Sequence, residues 1–104
     1  MIKLPKTVPV DGYDWKVIIE KDMMGGSFDT ATKEIFVGGK YKNEIGRIFC
    51  HEVLEAILTT RGCRYQMYGS GTNDRLLFSF YHYELENIVN DLYYSLRGII
   101  KEEI

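Results

Sequence analysis

The chain has 104 residues, which suits one domain and is short for two. Hydrophobic residues make up 45% and charged residues 27%, a globular balance that argues against intrinsic disorder. The 13 Lys and Arg against 15 Asp and Glu leave a formal charge of −2, too near neutral to indicate nucleic acid or an anionic membrane as partner. No apolar run approaches the roughly 20 residues that span a bilayer, and Met1-Ile2-Lys3-Leu4-Pro5-Lys6 lacks the apolar stretch of a secretory signal. Two cysteines, Cys50 and Cys63, are too few for a disulfide framework. The expectation is a single domain over residues 1–104 in a reducing cytoplasm, with neither nucleic acid nor membrane as partner.

Pro5 and Pro9 keep the first ten residues extended. Asp11-Gly12 then separates two β-prone runs, Thr7 to Val10 and Tyr13 to Glu20, and predicts a hairpin, because glycine accepts the positive φ of a type I′ turn. In the second run Tyr13, Trp15, Val17 and Ile19 alternate onto one face. Met23-Met24-Gly25-Gly26 and Gly38-Gly39 read as turns, and between them Phe28 to Val37 reads as a short hairpin or bent strand. Asn43 is placed to cap a helix over Glu44 to Arg61 that ends at Gly62. Cys63 to Tyr68 and Arg75 to Phe80 read as two strands joined by Gly69 to Asp74. A last helix is predicted from near His82 to about Ile100, with Leu85, Ile88, Val89, Leu92 and Leu96 on one stripe. The predicted class is α+β: a small twisted N-terminal β-sheet packed on a central metal-binding helix, then a β-hairpin and a C-terminal helix.

The chemistry concentrates in the central helix. Ile45, Phe49, Val53, Leu54, Ile57 and Leu58 cover most of its circumference at 100° per residue, as in a buried helix. His51, Glu52 and Glu55 interrupt this apolar surface. His51 and Glu55 are one turn apart on the same face, and Glu52 lies on the flank. Carboxylates in apolar surroundings are costly unless paired or bound to a metal. Zinc accepts histidine nitrogen and carboxylate oxygen, and an i, i+4 pair supplies two such ligands. The only other histidine, His82, falls at the top of the last helix and would face the pair if the two helices pack together. His51, Glu55 and His82 then form a two-His, one-Glu set for Zn2+, with Glu52 as the base that takes a proton from the zinc-bound water. Glu86, one turn past His82, reads as a supporting carboxylate, Cys50 as packing, and Cys63 as remote from the metal.

His51-Glu52-Val53-Leu54-Glu55 resembles the His-Glu-x-x-His helix of zincin metallopeptidases. The wider chain resembles the very small metallopeptidase-like proteins of phages and prophages. The likeness runs from Leu4 to Val17, through Gly26-Ser27-Phe28-Asp29 and Lys33-Glu34-Ile35-Phe36-Val37, to Leu76 to Asn87. It implies His51, Glu55 and His82 as metal ligands and Glu52 as the catalytic acid/base. It also implies an extended peptide lying along the edge of Glu34 to Val37. Glu55 stands where the family carries its second histidine, which leaves the metal less positive and weakens its pull on a bound water.

Three functions follow as expectations. The first is a zinc-dependent, peptidase-like hydrolase. The second is a metallopeptidase-like accessory protein that binds a peptide or protein partner without turnover, favoured by Glu55. The third is a closed structural metal site completed by Glu86. The 8 tyrosines lack the interleaved Lys and Arg of a nucleic-acid surface and read as core and rim.

Overall fold

The computed structural model describes residues 3–66 and 76–103. Its first element is the hairpin predicted at Asp11-Gly12, where both residues have positive φ, 50° and 81°, as a type I′ turn requires. The turn joins β1 (Thr7–Val10) to β2 (Tyr13–Glu20), with Val8 opposite Trp15 and Val10 opposite Tyr13. A second hairpin pairs β3 (Gly26–Asp29) with β4 (Glu34–Gly38). Its turn is held by Asp29, whose Oδ1 accepts hydrogen bonds from the backbone N–H groups of Ala31 and Thr32 at 2.9 and 3.2 Å. The two hairpins join because β4 runs parallel to β2, with Val17 opposite Ile35 and Ile19 opposite Val37. The sheet order is therefore β1-β2-β4-β3.

One face of this sheet is apolar and covered. Val8, Val10, Trp15, Ile35 and Val37 are buried against α1 (Ile45–Thr60), which contributes Phe49, Val53, Ala56 and Ile57. Each of these large side chains gains roughly 1.5–3 kcal/mol on leaving water, so the sheet–α1 layer carries most of the core. The alternation in β2 is covered only at its centre: Trp15 is buried, while Tyr13 and Ile19 at the strand ends are exposed.

A 3-10 turn at Lys42–Glu44 leads into α1. Asn43 sits inside this turn and does not cap α1. The cap position falls on Glu44, because the tighter winding uses the Glu44 N–H to Tyr41 carbonyl bond at 3.0 Å. The helix ends as expected, with Gly62 donating its N–H to the Thr59 carbonyl.

β5 (Arg64–Gln66) and β6 (Leu76–Phe78) form the second, antiparallel pair. The predicted connection Gly69 to Asp74 lies outside the described residues. Then α2 (His82–Glu103) opens with Glu84 accepting the Tyr81 N–H at 3.1 Å, half of a capping box. It packs on the core through Ile88, with Leu92 and Leu96 half-buried beside it. Ser95 is buried and its hydroxyl reaches the Pro9 carbonyl at 3.4 Å, while Arg61 Nη2 lies 2.8 Å from Asp91 Oδ2. These two contacts tie α2 to β1 and to the end of α1. The buried stripe of α2 is narrower than its periodicity suggested, since Leu85 and Val89 are exposed. Among the described residues no helix is long and apolar enough to cross a membrane. The architecture is α+β, a four-stranded sheet with one central and one C-terminal helix.

Candidate metal centre

The packing of α1 decides where its polar residues point. With Phe49, Val53, Ala56 and Ile57 at zero exposure against the sheet, residues 47, 51 and 55 fall along the helix's open flank. Glu52 is different: only 6% exposed, it is the buried carboxylate of the helix. It packs against the start of β3, where a Cβ added to Gly26 would sit 2.7 Å from Glu52 Cγ and 2.8 Å from Ile48 Cγ2. Glycine at position 26 makes room for the Glu52 and Ile48 side chains.

His51, Glu52 and Glu55 converge. His51 Nε2 lies 3.3 Å from Glu55 Oε2 and 3.9 Å from Glu52 Oε2. One ligand atom from each of the three falls within 4.8 Å of the others, the one such group among the described residues. Two atoms bound to one zinc at ~2.0–2.1 Å in a tetrahedral shell stand about 3.3–3.4 Å apart. The His51–Glu55 separation therefore fits a shared divalent ion, and a nitrogen with two carboxylates is a donor set such an ion accepts. A cleft of ≈170 Å³ opens beside them, lined by Gly25, Gly26, Arg47, Ile48, His51 and Glu52. Two roomier clefts, ≈450 Å³ beside Glu20 and Phe36 and ≈370 Å³ beside Trp15 and Thr60, hold no comparable cluster among the described residues.

His82, the third ligand of the predicted set, is not brought to this group. It opens α2 with its side chain 83% exposed, and its Nδ1 lies 3.7 Å from Glu86 Oε1. His82 and Glu86 thus form a His–Glu pair of their own at the surface. The edge expected of Glu34 to Val37 is also occupied: β4 is hydrogen-bonded to β2 on one side and to β3 on the other. The sheet edge on this side of the molecule belongs to β3, because the parallel β2–β4 pairing pushes the earlier strand outward.

Neither cysteine joins the cluster. Cys50 packs against the core and burial pushes its thiol pKa up. Cys63 is fully buried; burial, and then its hydrogen bond to Glu84 at 3.3 Å, pushes its thiol up as well. Two residues of the site were not singled out from sequence. Gly26 reads as part of a turn and as the start of the segment Gly26-Ser27-Phe28-Asp29 that carries the family likeness, and Arg47 stands four residues before His51 on the same flank. That spacing is the signal for Arg47, whereas the room Gly26 makes for Glu52 depends on a contact across the fold that no local spacing encodes.

In comparisons with known proteins, no family model, curated protein or solved structure matches this chain.

Proposed function

We propose that this protein is a zinc-dependent hydrolase of peptidase-like type, with His51 and Glu55 as metal ligands and Glu52 as the general base. The observation that carries the reading is the convergence of His51, Glu52 and Glu55, with the 3.3 Å spacing of the outer pair and the burial of the middle carboxylate. When bound there, zinc would supply Lewis-acid polarisation of an acyl oxygen and acidification of a water. Glu52, held between α1 and β3, takes the proton from the attacking water and returns it to the leaving group. His51 and Glu55 fix the position of that chemistry from one rigid helical turn. The resemblance of the His51 to Glu55 segment to zincin helices supports the same assignment.

An extended peptide or protein substrate suits the site, since β3 is a sheet edge that begins against Glu52. His82 remains a third ligand only if the first turn of α2 is drawn onto the cluster. Two free thiols suit a reducing compartment such as the cytoplasm. The test is a peptide library presented to zinc-loaded wild type and to Glu52→Gln. Cleavage in the wild type that disappears in Glu52→Gln is the expected result. A second reading, metal binding without turnover, is favoured by Glu55 in place of a neutral histidine. Zinc uptake with no cleavage of any library would select it.

A further inference from the structure

The metal-site reading names a reaction type and leaves the substrate open; the lining of the cleft narrows it. Arg47, His51 and Glu55 stand at successive i, i+4 positions on α1, so the Arg47 side chain rises one helical turn from the ligand pair. Arg47 also lines the same ≈170 Å³ cleft as His51 and Glu52 and is the one Lys or Arg that does so among the described residues. Gly25 and Gly26 also line the cleft and present backbone to it, with no side chain to fill the space.

Glu44 holds the Arg47 guanidinium by a hydrogen bond to Nε alone. That contact orients the side chain through Nε, and a guanidinium so held keeps further N–H donors with which to meet a carboxylate. Among the described residues, the other ionised groups beside the cleft are carboxylates. Glu52 and Glu55 flank His51, and Glu44 offsets part of the Arg47 charge. Among the described residues, a substrate anion is therefore best placed between Arg47 and a cation held by His51 and Glu55.

We propose that Arg47 is a specificity-determining residue, and that the substrates are acyl compounds or peptides carrying a carboxylate about one helical turn from the bond that is hydrolysed. The distance follows from the spacing of neighbouring i, i+4 side chains, ~5–6 Å between Cβ atoms. The inference rests on the metal-site reading and deepens it.

The test uses two hydroxamates of matched carbon-chain length, succinic monohydroxamate and butyrohydroxamate, titrated calorimetrically into the zinc-loaded protein. They share the metal-binding head and differ in the terminal carboxylate. The expected result is ~3–10-fold tighter binding of the succinic compound to the wild type, the range suited to one solvent-facing charge-assisted contact. In Arg47→Gln the ratio falls toward one, and Arg47→Lys, a point charge without the fork, recovers part of it. Metal content is measured on every sample. Equal binding of both compounds by the zinc-loaded wild type, or an undiminished ratio in Arg47→Gln, overturns the role of Arg47 and leaves the metal site standing. Failure of both compounds to bind a zinc-loaded wild type removes the open, catalytic form of the site, failure to load zinc at all removes the metal site itself, and either result removes this inference with it.

Discussion

The chain contains two His–Glu pairs at the same i, i+4 spacing, His51/Glu55 on α1 and His82/Glu86 on α2. Their surroundings differ. On α1 the imidazole and carboxylate are 3.3 Å apart, the carboxylate is three-quarters covered, and the buried Glu52 stands beside them. On α2 the separation is 3.7 Å and both side chains face solvent. Spacing sets which side chains can meet; burial sets whether the meeting has consequences. An exposed pair is screened and contributes ~0–1 kcal/mol, whereas a covered carboxylate must be matched by a partner or an ion.

The largest effect expected from breaking this contrast is on turnover. Glu52→Gln preserves shape and removes the proton acceptor, so hydrolysis of any cleaved peptide should fall by ~10²–10⁴-fold while zinc content stays near the wild-type level. Loss of the metal instead would make Glu52 a ligand and reverse the roles of the two carboxylates.

Next in size is the wall behind Glu52. Gly26→Ala places a methyl group 2.7 Å from Glu52 Cγ and 2.8 Å from both Ile48 Cγ2 and the Phe36 carbonyl oxygen. Urea unfolding should show a loss of ~1–3 kcal/mol, the usual cost of overpacking. An unchanged midpoint would mean that β3 does not abut α1 as described.

Smaller again is the tie between α1 and α2. Arg61 and Asp91 are about four-fifths covered and joined at 2.8 Å. Arg61→Ala should lower stability by about 1 kcal/mol, within the range of a partly covered charge-assisted bond.

The smallest effect is reserved for the surface pair. Glu86→Gln should leave thermal midpoint and zinc affinity within error of wild type, because Glu86 is two-thirds exposed and its partner lies outside the cluster. A marked loss of zinc affinity in Glu86→Gln would bring α2 into the site after all.

Much of the fold was readable from local signals. Asp11-Gly12 announced its hairpin through turn chemistry, Gly62 ended α1, and the apolar residues of α1 announced a helix packed on the core, although Leu54 among them is exposed and one flank is open. Each of these is settled within a few residues. What escaped depends on contacts between distant segments. The parallel pairing of β2 with β4 put β4 inside the sheet and left β3 at the edge, and no periodicity within Glu34 to Val37 encodes that choice. Likewise the stripe on α2 was read too wide, because how much of a helix face is covered depends on what packs against it. The site divides in the same way. His51, Glu52 and Glu55 belong to one helical turn, so sequence alone brought them together. His82 was assigned to the site across a helix–helix contact, and the structure leaves it at the surface.

Zinc titration of the two pairs side by side tests the central claim most directly. Calorimetry on metal-free wild type, His51→Ala and His82→Ala should find about one zinc per chain in the wild type, affinity lowered by at least ~10-fold in His51→Ala, and little change in His82→Ala. Undiminished affinity in His51→Ala, or no zinc uptake by the wild type, would contradict the account.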